Sequence, residues 1–194
     1  VEQGRDLHMK LDLSLDEAFH GCTRKVRVNL PVRESSGRVV EKLKTLQVKV
    51  PTGITQGQRI RMKNQGAPGP KGTENGHLYL EVNILPHEIF RLNGRDISVR
   101  LPVAPWEAML GAEVSVPALS GELKLKVPPH SQNGKRFRLK GRGMPGDTPG
   151  DFFVELDVVL PDASDEKARA LYREMAKTMA FDPRAQWNSS AIKK

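Results

Sequence analysis

The stretch GQRIRMKNQGAPG, starting at Gly57, returns as GKRFRLKGRGMPG from Gly134, with seven of its thirteen positions identical. The repeat reaches further back. GRDL at Gly4–Leu7 returns as GRDI at Gly94–Ile97, and Glu17, Ala18 and Gly21 return as Glu107, Ala108 and Gly111. The offset is 90 residues where each copy begins and 77 where it ends, so the first copy carries 13 extra residues. The segment that holds them is LPVRESSGRVVEKLK, Leu30–Lys44, which is polar and basic. A chain of 194 residues, 38% hydrophobic, has material for two small cores, and the repeat says how they divide. The expected organisation is a first β-rich domain over 1–87, a second over 88–162, and a helix and tail over 163–194.

Local patterns supply the elements. In DLHMKLDL, Leu7, Met9, Leu11 and Leu13 share one face while His8, Lys10 and Asp12 share the other, the period of a half-buried strand. Ser14 and Glu17 have capping-box spacing and Gly21 suits the position after the last turn, so SLDEAFHG is expected as a short helix. Pro105 and Gly111 bracket its counterpart. VSVPALSGELKLKV reads as a tight hairpin turning at LSGE. After Pro161, Ser164 is expected to cap a helix whose apolar residues Ala168, Leu171, Tyr172, Met175 and Met179 follow helical spacing.

In RIRMK and RFRLK, alternation puts Arg59, Arg61 and Lys63 on one strand face and Arg136, Arg138 and Lys140 on its counterpart, with Ile60, Met62, Phe137 and Leu139 turned away. Such combs are solvated faces or phosphate contacts. The aromatic content is 5%, and no aromatic is interleaved in either comb, which argues against a stacking platform for single strands. The formal charge of +8 favours anionic partners, nucleic acid or acidic peptide. The Gly- and Pro-rich loops after each comb lack phosphate-loop spacing and read as hairpin connections. The single cysteine, Cys22, excludes a disulfide framework, and the five scattered histidines suggest no metal site. No catalytic constellation, metal or cofactor is expected. No apolar run has the length of a membrane span and no signal peptide is visible, so a cytoplasmic protein, with a nucleoid association if DNA is bound, is expected. The opening VEQGRDL, without an initiator methionine, reads as excised from a longer chain.

Laid side by side, the two copies resemble the C-terminal substrate-binding region of DnaJ-family co-chaperones. The resemblance rests on DLHMKLDLSLDEAFHGCTRKV, VKVPTGITQGQRIRMKNQGAPG, NGHLYLEVNILPHEIFRLNGRDI, PVAPWEAMLGAEVSVPAL, KRFRLKGRGMPG and GDFFVEL, spread over residues 4 to 162. AFDPRAQW, Ala180–Trp187, is similar to the ending of the curved-DNA-binding, or CbpA, group. The chain lacks the cysteines of the zinc module that DnaJ proper carries, and it has no His-Pro-Asp tripeptide of a J-domain. The resemblance implies a mainly β chain: two tandem β-sandwich-like domains of the DnaJ C-terminal type, each with a short helix, then a C-terminal amphipathic helix. That helix would dimerise the protein into a two-armed clamp through Ala168, Leu171, Tyr172, Met175 and Met179. It implies a first domain that binds unfolded or extended polypeptides beside an exposed strand, for a DnaK-type chaperone. Carried over by position, Met9, Leu11, Val26 and Val28 line the groove, with Arg24 and Lys44 at its rim. The rival reading is an architectural module that binds curved duplex DNA through the basic strand faces. The two differ in salt dependence, because only phosphate contact releases counterions.

Overall fold

The structure is a computed structural model that describes residues 3–34, 36–70 and 73–187. Val1 and Glu2, Ser35 of the extra segment, Lys71 and Gly72 of the first Gly/Pro loop, and residues 188–194 of the expected tail lie outside the described residues. The first copy supplies β1 (Leu7–Leu13), α1 (Leu15–His20), β2 (Cys22–Arg33), β3 (Val39–Val50), β4 (Arg59–Met62) and β5 (Leu78–Ile84). The second supplies β6 (Phe90–Asn93), β7 (Asp96–Val103), α2 (Pro105–Leu110), β8 (Ala112–Val116), β9 (Leu123–Val127), β10 (Arg136–Leu139) and β11 (Phe152–Val158), and α3 (Glu166–Thr178) follows. The chain is mainly β, with short helices between strands and one longer helix near its end, as expected.

The repeat is visible in the pairing. The first sheet runs β1-β5-β4 and the second β10-β11-β7-β6, so parallel β1–β5 matches parallel β7–β11 and antiparallel β4–β5 matches β10–β11. Each copy adds a separate two-stranded antiparallel ribbon, β2–β3 and β8–β9. Strand alternation decides which side chains enter the core: Leu11 and Leu13 are buried beside Leu78, Leu80 and Val82, and Leu101 and Val103 beside Phe152, Val154 and Leu156.

The short helices form for the reasons their sequences give. Ser14 Oγ accepts from Glu17 N at 3.1 Å while Glu17 Oε2 accepts from Ser14 N at 2.9 Å, a reciprocal capping box. Pro105 opens α2, where a missing N–H costs nothing. The second ribbon turns where expected, the Gly121 N–H donating to the Ala118 carbonyl at 3.0 Å, but within a six-residue connection, residues 117–122, longer than a two-residue hairpin loop. Its first residue, Pro117, has no N–H to continue the ladder.

Val1–Val158 form one compact unit and Val159–Lys194 a second. In the first, Arg95 ties the copies together: its guanidinium donates to the carbonyls of Gly53 (3.4 Å), Met144 (3.3 Å) and Pro145, and its Nε to Thr148 (2.9 Å). Gly53 has φ +75°, and a methyl there would collide with the Pro145 carbonyl. In the second unit Asp165, not Ser164, caps α3, its carboxylate accepting from Ala168 N at 2.7 Å. A carboxylate gains from the positive end of the helix, which a hydroxyl does not. No helix among the described residues is long and apolar enough to cross a membrane.

Candidate functional site

The two copies part company at one sheet edge. In the second, the two-residue turn Gly94–Arg95 folds β6 back onto β7, pairing Phe90 with Val99, Arg91 with Ser98 and Leu92 with Ile97. Gly94 supplies the positive φ, +61°, that such a turn requires. In the first, the counterpart Gly4 instead donates to the Glu74 carbonyl at 2.9 Å and lies against the loop around Ala67 and Gly76. Among the described residues, β1 therefore ends its sheet with one side unpaired. A groove of about 430 Å³ runs there, between Leu7, His8 and Met9 of β1 and Arg27, Val28 and Asn29 of β2, with Leu43 of β3. Leu7, His8 and Met9 are the counterparts of Ile97, Ser98 and Val99, three of the four β7 residues that β6 pairs. An unpaired row of N–H and C=O groups beside apolar side chains is the geometry that accepts an added strand.

Of the residues expected to line this groove, Met9 does so and is half-buried. Leu11 and Val26 do not: at 5% and 8% exposure they belong to the core, because the inward faces of β1 and β2 pack against the sheet below. Val28, 1% exposed, is a floor residue whose side chain is spent on the core. At the expected rim, Arg24 is held by Glu17, Nη1 lying 2.7 and 2.9 Å from the two carboxylate oxygens, and Lys44 Nζ donates to Gln65 Oε1 at 2.8 Å. Sequence reasoning missed Leu7 and Leu43. Leu43 is 60% exposed, and its odd parity against the buried Leu46, Val48 and Val50 was a readable sign that it points outward.

The DnaJ C terminal domain profile matches residues 7–161. The chain belongs to this DnaJ family. Curved DNA-binding protein of Coxiella burnetii (strain RSA 493 / Nine Mile phase I) is 45% identical over 95% of the chain and 59% of its own length. Proteins of the same designation from Pseudomonas syringae pv. tomato and Serratia proteamaculans are 44% and 42% identical, over 95% and 96% of the chain and 60% and 61% of their own lengths. The chain thus spans about three fifths of the length of these relatives.

On this DnaJ-family frame the basic combs alternate as their sequence predicts: Arg59, Arg61, Lys63, Arg136, Arg138 and Lys140 are exposed and the residues between them half-buried. The expectation that no aromatic shares these faces is overturned. Tyr79 pairs with Arg61 across β4–β5 and Phe153 with Arg138 across β10–β11, and directly paired residues face the same side. His8 stacks on Tyr79 with centroids 5.2 Å apart, and the Arg136 guanidinium lies 4.8 Å above the Phe153 ring. The combs are also compensated. Glu81 stands opposite Arg59 and Glu155 opposite Arg136, and Arg138 is bound by Asp151 at 2.6 Å. The Gly141 N–H, and then Arg138, hold the Asp151 carboxyl below the usual carboxylate range.

Cys22 is half-buried, and burial and then Glu17 push its thiol pKa up. Among the described residues no group of three or more His, Cys, Asp or Glu could hold a metal ion. In α3 none of Leu171, Tyr172 and Met175 is buried, and Met179 stands at the C-cap, just past the last helical residue. Leu171, Met175 and Met179 are 72%, 41% and 58% exposed, while Ala168 and Tyr172 are half-buried and the Tyr172 hydroxyl donates to the Pro161 carbonyl at 2.8 Å.

Proposed function

We propose that the chain is the polypeptide-holding part of a non-enzymatic co-chaperone, taking extended apolar segments into the groove beside β1 and passing them to a DnaK-type partner in the longer protein. The observation that carries this reading is the open edge of β1, which the second copy fills with its own β6. Backbone bonds along an unpaired strand give affinity without sequence preference, and Leu7, Met9 and Leu43 select for apolar side chains. Two apolar lining residues outside the buried core, half-buried Met9 and exposed Leu43, make the test. Met9→Glu and Leu43→Glu each place a charge where an apolar client side chain must desolvate it, at a cost of about 1–3 kcal/mol. Binding of a permanently unfolded, carboxymethylated client should weaken about tenfold or more in both folded variants. Unchanged affinity would remove the groove from the reading. A two-fold dimer through the α3 stripe would cover that apolar face and set two grooves on one clamp.

A second reading, duplex DNA binding, is favoured by the designation the relatives share and by the formal charge of +8. Its signature is a steep fall in affinity as salt rises, absent from client binding.

A further inference from the structure

The extra residues of the first copy lengthen its ribbon. β2 and β3 pair without a bulge over twelve positions, from Cys22↔Val50 to Arg33↔Val39, a rod of about 40 Å at the usual strand rise. β8 and β9 pair over five. Core packing explains only the near half, since no described residue from Asn29 to Thr45 is buried. Charge separates the ribbons further. Residues 22–50 hold eight Lys and Arg against two Glu, a net of +6 out of the chain's +8. Residues 112–127 hold two Lys against two Glu and are neutral. The fold is built equally well with a neutral ribbon, so the positive charge of the first is not there to make it fold. Among the described residues only Arg24 of its eight cations makes an ion pair.

We infer that the β2–β3 ribbon is the arm by which the chain docks on duplex nucleic acid; this rests on the DNA reading above and moves its contacts from the compensated combs to the ribbon. A two-stranded antiparallel ribbon fits the major groove of a duplex, about 12 Å wide. Lys25, Arg27, Arg33 and Lys49 project from one face of the ribbon and Lys42 and Lys44 from the other, as the pairing register requires. Long basic side chains on both faces reach the two phosphate walls that flank a ribbon set into a groove. An acidic peptide laid along either face would meet one set alone. Val39, 59% exposed near the end of the arm, adds an apolar contact of the kind that reads a thymine methyl.

The test uses Arg33→Gln/Arg38→Gln/Lys42→Gln, which touches neither the core nor the client groove, and a comb variant, Arg59→Gln/Arg136→Gln. Binding of a short labelled duplex is titrated at several salt concentrations. Losing three phosphate contacts should flatten the slope of log affinity against log salt by about 2 to 3, since each contact contributes about 0.9. The comb variant should keep the wild-type slope, and both should bind unfolded client normally. An arm variant with the wild-type slope overturns the inference while leaving the DNA reading intact. A wild-type chain that ignores duplex even at low salt sinks that reading and the inference with it. Equal losses of duplex and of poly-glutamate binding would make the arm a site for acidic polypeptide and overturn the duplex assignment.

Discussion

Glu17 shows how much one side chain can be asked to do. Its carboxylate accepts the Ser14 N–H that closes the capping box of α1 and grips the Arg24 guanidinium of the neighbouring strand. The Ser14 N–H, followed by Arg24 after the opposing effect of burial, holds its pKa below the usual carboxylate range. A depressed folded pKa contributes stability above the ordinary value near about 4.3 and loses it as pH falls through the folded value. Glu17→Gln should therefore cost about 1 kcal/mol at pH 7, with the gap to wild type closing below about pH 4, read from urea midpoints across that range. A gap independent of pH would show that the charge is idle. Leu11 and Leu43 make a contrasting pair. Leu11→Ala should lower stability by about 2–5 kcal/mol, as buried leucines do, whereas Leu43→Ala should leave the melting temperature unmoved and weaken client binding.

At the scale of elements, the repeat and the period-2 patterns carried most of the fold: β1, both short helices, the combs and the second copy's hairpin strands stand where alternation and capping residues put them, whereas the long β2–β3 ribbon was not foreseen. What could not be read was register. Tyr79 alternates with buried Leu78 and Leu80, so its outward direction was available, yet only the pairing of β4 with β5 sets it opposite Arg61. The candidate groove was half legible for the same reason. Met9 follows from strand parity, but the same parity sent Leu11, Val26 and Val28 inward, and only the sheet order reveals that β1 has a bare side. Stacking across the combs is testable by itself. Phe153→Ala should release Arg136, seen as faster side-chain motion by NMR relaxation, without loss of duplex affinity. A weaker duplex complex would return the combs to the DNA interface.

For the molecule as a whole, the two copies are held by contacts that neither could make alone. Arg95→Ala should cost about 2 kcal/mol through its lost carbonyl partners, and Gly53→Ala about 1–2 kcal/mol from the left-handed backbone alone. The double variant should lose less than the sum, because both act on the contact with Pro145. Cutting the chain after Asp162 should give a monomer by light scattering that keeps short peptides and loses long clients about tenfold or more, if α3 pairs the clamp. A fragment that stays dimeric would place the pairing elsewhere. The hairpin of the second copy also makes it a natural experiment in self-inhibition. Grafting His87–Asn93 ahead of Gly4, with the Gly94-type turn restored, would tether a strand to β1 at a millimolar effective concentration. Free polypeptide would then have to evict an occupant that never diffuses away, and a protein that binds clients would become one that binds itself.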